Sequence, residues 1–404
     1  MKLRRGELRS FALPLAKPLS TGHGAISERV GRLLMLTDDD GLVGLGEATP
    51  LPEFGTESLD DCTRVLDAAL AGWVDARARS FDAALAEARQ LGQRTPCALS
   101  ALDTALHDLE AQRAGVSLAE WIHRRAGTSA PVAGRVRVQA LLAGDTPAAV
   151  EASASAALAR GFETFKLKIA ATASCDASDT SDTSDASCGS DSSDLGLDLD
   201  RVAALREAVG SGRRIRLDAN EAWSIARAHA AMKALQPFEI DYIEQPVVRG
   251  DLAGLRELDL HGAIPVAADE ALLGAGLEAC LETRAASILV VKPAALGGLA
   301  AAMDVSRRAR DAGLRVVWSS LIDAAVARAA ALALAAGLGP HDEVHGLGTA
   351  ALLAGDLVPT PMDSTGTIAL ATRPGLGLLL APGWPDAGPN AERLPILRVV
   401  EASR

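Results

Sequence analysis

Polar residues that end successive β-rich runs recur through the second half of the chain at a nearly constant interval. From Asp218 the next are Glu244, Asp269, Lys292, Ser319 and His345, separated by 26, 25, 23, 27 and 26 residues. One strand, one helix and two loops occupy such a length, so the period signals repeated βα units. The strand candidates are VRVQALL, FETFKLKI, RIRLDAN, DYIEQP, PVAADE, SILVVKP, RVVWSS and EVHGLG. Between them lie helical patterns such as VEASASAALARG, LDRVAALREAVG, SIARAHAAMKAL and AAMDVSRRARDAG. Eight strands at this period fit a closed barrel or a long doubly wound sheet. The barrel is preferred, because a closed ring brings all the polar strand ends together, whereas an open sheet serves its crevice with few strands.

One interval breaks the rule: Lys168 and Asp218 lie 50 residues apart. Residues 172–194, TASCDASDTSDTSDASCGSDSSD, account for it, since removing these 23 residues leaves 27. The tract has no Lys, Arg or large apolar residue and cannot bury enough surface to order itself, so it reads as a disordered, solvated insertion in a βα loop. Its six aspartates supply half of the net charge of −12, and the acidity therefore describes one loop more than a ligand. With no basic stripe elsewhere, nucleic acid is excluded as a partner, and the composition is not that of a membrane-spanning chain. Aromatic residues make up only 3%, so Ala, Leu and Val must fill the core, which suits helices packed on a sheet. Five cysteines without a CxxC pair argue against a disulfide framework or zinc cluster. The N-terminus begins with basic residues, but Glu7, Pro14, Lys17 and Pro18 interrupt any signal-peptide core, and a cytoplasmic location is expected. Up to about Ala130 the pattern is α+β. RLLMLTDDDGLVGLGEATP reads as a hairpin, followed by helices in LDDCTRVLDAALAGWV and in PCALSALDTALHDLEAQRAG, the latter opened by Pro96 and stopped by Gly115.

Three of the strand ends are acidic: Asp218, Glu244 and Asp269. Adjacent barrel strands bring these carboxylates together, and three uncompensated charges in a half-buried site are costly. A hard divalent cation neutralises them, with Mg2+ the natural choice and Mn2+ a substitute. Lys166 and Lys168 share one face of FKLKI, opposite Phe165, Leu167 and Ile169. A barrel strand's outer face packs on helices, so both lysines point inward. Lys292 ends the apolar run ILVVKP and delivers an ammonium from roughly the opposite side. Three carboxylates, one divalent cation and a substrate carboxylate sum to −2, which two or three lysines balance as further negative charge develops. The chemistry that most needs this arrangement is removal of a proton α to a carboxylate, with a lysine as base and the metal on the resulting enediolate.

KLK at 166–168, DAN at 218–220, EQP at 244–246, DE at 269–270 and VKP at 291–293 resemble the barrel motifs of the enolase superfamily, muconate-lactonizing subgroup. The resemblance covers most of the chain. It implies a modified TIM barrel (βα)7β over 133–348 and an α+β capping domain over 1–132, with residues 349–404 returning to the cap. By the same resemblance, cap loops around Thr21, Gly22 and His23 and around Leu51, Pro52 and Phe54 shape the pocket. Asp218, Glu244 and Asp269 match the metal ligands, Lys168 the proton-abstracting base and Lys292 the lysine on the opposite face. Lys166 matches the residue that holds Lys168 and the substrate carboxylate, and Asn220 the residue beside the metal. Glu270 is either a partner of the metal ligands or a helix N-terminal acid.

The seventh strand end, WSSLIDAA, is similar to the Ser-Ser-x-x-acid run of o-succinylbenzoate synthases, with Asp323 in place of a Glu. Dipeptide epimerases carry an Asp-x-Asp run there that holds an α-ammonium; Ser319 and Ser320 suit a carboxylate or succinyl chain instead. The expected activity is dehydration of 2-succinyl-6-hydroxy-2,4-cyclohexadiene-1-carboxylate in menaquinone synthesis, a lyase reaction on a small carboxylate substrate. Two alternatives stay open: an N-acylamino acid racemase or dipeptide epimerase on the same site, and a non-catalytic barrel with a binding or structural role. His345 could reach the site or serve a structural hydrogen bond. Gly297 and Gly298 open a helix that could receive a substrate carboxylate or only pack. The oligomeric state is left open, a homo-oligomer included.

Overall fold

The structure is a computed structural model that describes residues 1–21, 24–74, 78–170, 195–358, 366–380, 384–386 and 394–402. The Ser/Asp tract, Gly22 and His23 lie outside the described residues.

The first part of the chain forms a meander, β1 (Leu3–Thr21), β2 (Gly24–Asp38) and β3 (Val43–Ala48), covered by four helices: α1 (Leu59–Trp73), α2 (Phe81–Leu91), α3 (Pro96–Arg113) and α4 (Leu118–Ala126). Capping residues set the helix starts. Ser58, Ser80 and Ser117 accept from backbone N–H groups of the first turns of α1, α2 and α4, while Pro96 occupies the first turn of α3, where no N–H is needed. The meander sits on α3 with almost no gap. A Cβ on Gly46 would lie 2.0 Å from the Ala101 carbonyl oxygen, so only glycine permits this approach.

The βα part follows. Its strands are β4 (Arg135–Val138), β5 (Ala140–Leu142), β6 (Thr164–Lys168), β7 (Arg214–Asp218), β8 (Ile240–Glu244), β9 (Val266–Ala268), β10 (Ile288–Val291), β11 (Arg315–Trp318) and β12 (Val344–His345). The helices are α5 (Pro147–Ala159), α6 (Leu195–Val209), α7 (Ile225–Leu235), α8 (Leu252–His261), α9 (Gly276–Thr283), α10 (Pro293–Leu296), α11 (Leu299–Asp311) and α12 (Ala325–Leu338). Strands β5 to β11 form one parallel sheet in sequential order. β12 pairs in parallel with β4 and bridges to the end of β11 through Ser319 and Gly346, which closes the ring.

The first barrel strand, expected as one run through VRVQALL, is broken at Gln139. There the chain changes neighbours, from β12 to β6, and the Gln139 N–H donates to the His345 carbonyl across the break. Within the chain after Gly348, β13 (Thr367–Ala369) pairs with β4, whereas β14 (Ile396–Glu401) pairs with β1 as the edge of the meander sheet.

Strand faces divide as the pleat demands. Phe165, Leu167 and Ile169 are buried in the main core with residues of α5, α6 and α7. The base of the ring is plugged by Arg216, which donates to Asp241, Gln139, Glu343 and the Val344 carbonyl and stacks 4.8 Å over Tyr242. A buried guanidinium is tolerable because each of its three nitrogens finds a charged or carbonyl partner. Among the described residues no helix is long and apolar enough to cross a membrane.

Candidate active site

Register brings the acidic strand ends together. Lys168 is the cross-strand partner of Asp218, and Asp218 of Glu244, so three adjacent strands present these side chains abreast at their C-terminal ends. Asp269 follows β9 and Lys292 follows β10. All of them line one cavity of about 400 Å3 at the mouth of the ring, together with Lys166, Asn220, Glu270, Ser319, Ser320 and Phe54.

The charges interlock. Lys166 Nζ lies 2.8 Å from Asp218 Oδ2 and 2.7 Å from Glu244 Oε1, and Lys292 Nζ contacts both carboxylate oxygens of Asp269. Asn220 sits at a positive φ of 44°, a conformation asparagine tolerates better than most residues. In that position its backbone N–H and Nδ2 donate to Asp218 Oδ1 at 3.1 and 2.8 Å, and its Oδ1 accepts from Lys168 Nζ at 3.4 Å. One residue thus orients both an acid and a lysine.

Electrostatics match the geometry. Burial pushes the Glu244 carboxyl up to about 8, with Lys166 opposing and the Asp218 and Asp269 carboxylates adding to the rise. Burial works on Lys166 in the opposite sense, but Asp218 and Glu244 win and hold its ammonium well above the ordinary lysine range. Glu270 is raised to about 7, chiefly by burial, with Lys292 opposing. Glu244 Oε2 and Glu270 Oε2 are buried without a hydrogen-bond partner, an expensive condition for a carboxylate oxygen. An all-oxygen donor set from three adjacent strands, with such an orphaned atom, fits a hard divalent cation. A second group of clustered acids, Asp38, Asp39 and Asp40, lies in the β2–β3 turn, where Asp38 accepts from Asp40 N, Leu42 N and Arg113. Those carboxylates shape the turn, and none of the three lines the cavity.

The chain matches two family models: "Mandelate racemase / muconate lactonizing enzyme, N-terminal domain" over residues 7–122 and "Enolase C-terminal domain-like" over 149–383. The chain belongs to the enolase superfamily. It is 31% identical over 348 residues to muconate cycloisomerase 1-2 of Acinetobacter lwoffii, covering 84% of this chain and 83% of that protein. It is 34% identical over 239 residues to o-succinylbenzoate synthase of Thermobifida fusca (strain YX), a match over 58% of this chain and 66% of that one. The solved structure of a substrate-liganded complex of the L-Ala-D/L-Glu epimerase from Bacillus subtilis superposes with a TM-score of 0.80 at 25% identity, over 94% of this chain and 99% of that chain. This enolase-superfamily member is thus similar to relatives whose names carry three different activities.

Other expected residues fall unevenly. Phe54 belongs to a cap turn, with its N–H bonded to the Leu51 carbonyl, and its ring centroid lies 4.2 Å from Lys292 Nζ. Ser320 Oγ is 2.9 Å from Thr349 Oγ1, and both line the cavity. His23 lies outside the described residues. Gly297 is a correction: it does not line the cavity, because Gly297 packs against the Leu99 side chain and the following helix, α11, already has an anion at its N-terminus. That anion is Asp103, which accepts from Leu299 N at 2.7 Å and Ala300 N at 3.3 Å. His345 also turns away from the cavity. It is buried, and its Nδ1 accepts from Trp318 N at 3.1 Å.

Burial lowers the His345 imidazole from 6.5 to about 4. Between those values the unfolded chain binds a proton that the folded one refuses, so this contribution to stability is present above pH 6.5 and is lost as pH falls toward 4. The variant His345→Gln should therefore show a flatter dependence of urea midpoint on pH within that window. An unchanged slope would contradict the assignment.

Three contributors escape sequence reading. Arg249 pairs with Glu221 at 2.6 Å and donates to the Phe54 carbonyl at 2.9 Å, pinning the cap turn to a barrel loop. Gln245, fully buried, accepts from Asp269 N and Ala271 N at 3.0 and 3.1 Å and so fixes the backbone carrying Asp269. Glu47, on β3, accepts from Ala324, Val326 and Ala327 at the start of α12. Only EQP carried a local hint, since Gln245 adjoins Glu244.

Proposed function

We propose that the protein is an o-succinylbenzoate synthase, dehydrating 2-succinyl-6-hydroxy-2,4-cyclohexadiene-1-carboxylate. The observation that carries this reading is the end of β11. Ser319 and Ser320 face the cavity, while the Asp323 carboxyl does not line it; Asp323 Oδ2 instead accepts from Leu321 N at 3.1 Å. No carboxylate at that strand end is placed to receive a substrate α-ammonium, which favours a substrate whose charged groups are carboxylates alone. Apolar lining at Leu19, Ile26, Leu51 and Phe54 suits that ring.

A divalent cation, Mg2+ or Mn2+, would be held by Asp218, Glu244 and Asp269 and would acidify the substrate α-hydrogen by drawing charge from its carboxylate. Lys168, oriented by Asn220, takes the α-proton. Lys292 stays cationic across the site beneath the Phe54 ring, and Lys166 holds the acidic wall in place and balances charge that develops on the substrate carboxylate. The bond from the β-carbon to its hydroxyl then breaks with its electron pair. Lys168 returns its proton to the departing oxygen, water leaves, and the ring becomes aromatic.

A second reading, racemisation of N-acylamino acids or epimerisation of dipeptides, is favoured by one feature: Lys168 on β6 and Lys292 after β10 lie four strands apart in the ring, on opposite sides of the substrate position. Incubation with the cyclohexadiene carboxylate and Mg2+ is expected to remove the diene absorbance. EDTA should abolish turnover, and added Mg2+ or Mn2+ should restore it. Absence of turnover, alongside deuterium exchange into N-succinylamino acids or dipeptides, would replace the first reading by the second.

A further inference from the structure

A second cavity, of about 340 Å3, lies where the cap meets the barrel, between α2, α3 and α4 on one side and α11 on the other. Four arginines line it: Arg89 and Arg125 from the cap, Arg307 and Arg310 from α11. Two of them are neutralised locally, Arg125 by Asp82 at 3.1 Å and Arg307 by Asp304 at 2.6 Å. Among the described residues Arg89 and Arg310 have no ion-pair partner, and the residues lining the cavity count four arginines against two aspartates, with the Asp103 carboxylate behind His107.

At the floor is His107, with no exposed surface. Trp121 Nε1, which can only donate, points at His107 Nδ1 at 2.9 Å, so that nitrogen accepts and the neutral ring carries its proton on Nε2. Nε2 has no hydrogen-bond partner. The nearest carboxylate oxygen, Asp103 Oδ1, is 3.8 Å away and already accepts from the first turn of α11. Burial holds the imidazole neutral, lowered to about 3, with Arg125 and Arg89 adding to the effect.

We propose that this cavity binds a small multivalent oxyanion, a phosphate group or a dicarboxylate, which Arg89 and Arg310 clamp from opposite walls. Arginine's planar fork matches both anion types. Because the two arginines come from α2 and α11, such an anion ties the cap to the barrel. The inference is independent of which reaction the active site performs.

The test uses the full chain loaded with Mg2+. Its thermal midpoint is followed in sodium phosphate, sodium succinate and sodium chloride at matched ionic strength. A saturable rise in phosphate or succinate beyond chloride is expected, and the stronger of the two responses assigns the source to phosphate monoesters or to dicarboxylates. Arg89→Gln and Arg310→Gln should each weaken the effect about 10-fold while leaving anion-free turnover unchanged. In protein labelled with 15N-histidine, the His107 Nε2 resonance should move along the same titration. No rise beyond chloride, or a rise that both variants retain in full, overturns the proposal, since an anion held only at the active site would not respond to either arginine.

Discussion

The variant Lys168→Ala is expected to lose dehydration activity by about 10³- to 10⁴-fold, the scale on which a positioned acid–base group contributes. The size follows from one side chain serving twice, first taking the α-proton and then returning it to the departing hydroxyl. Steady-state turnover of the cyclohexadiene carboxylate reads the loss. The fold should survive, because the side-chain hydrogen bond Lys168 Nζ makes is a long one, 3.4 Å to Asn220 Oδ1. Its urea midpoint should therefore stay close to that of the parent, within the range of substitutions that remove no packed group. A variant that keeps a tenth or more of the parental rate would remove Lys168 from the role of base and would take the proposed reaction sequence with it.

The largest effect on stability is expected far from the chemistry, at Glu47→Ala. Glu47 Oε1 accepts from Ala324 N at 2.7 Å and from Thr49 Oγ1 at 2.7 Å, and Oε2 from Val326 N and Ala327 N, each at 3.0 Å. Burial pushes this carboxyl up to about 7, with Asp323 adding to the rise and the hydrogen bonds opposing it. Alanine leaves three backbone donors at the first turn of α12 without their acceptor in a buried seam. At about 1–3 kcal/mol for each buried unsatisfied group, partly relieved by water, the net cost is about 3–5 kcal/mol. Urea unfolding checks the value. A loss below about 1 kcal/mol would mean that the seam admits water freely, as a simple helix cap at a surface would allow. Activity should fall along with stability, because the same seam holds the cap over the cavity.

Much of this molecule was legible one residue at a time. The βα rhythm located the strands because strand and helix lengths are set locally, by side-chain period and by caps such as Ser224. The alternation in FKLKI assigned Lys166 and Lys168 to one face, and they do line one cavity. What misled the reading at Gly297 was of another kind. A glycine-opened helix start looks like an anion site wherever it occurs, and only its neighbours in space decide whether that site is already filled. Here Asp103, nearly two hundred residues earlier, fills it. His345 likewise ends a strand as a site residue would, yet it faces the Trp318 backbone because the ring closes there.

The sequence by itself therefore determined the repeated unit, the chemical identity of the strand ends and the strand faces from which they project, since each depends on bonds and contacts within a few residues. The tertiary structure alone decided which carboxylate meets which cation, which helix start is capped from another domain, and that Arg89 and Arg310 share a cavity. Those pairings join residues from 23 positions apart, at Lys292 and Asp269, to 277 apart, at Ala324 and Glu47. Their partners are interchangeable as far as local chemistry goes, because any carboxylate can satisfy a helix N-terminus and any anion can pair with an arginine, so only the register of the ring and the seating of the cap select among them.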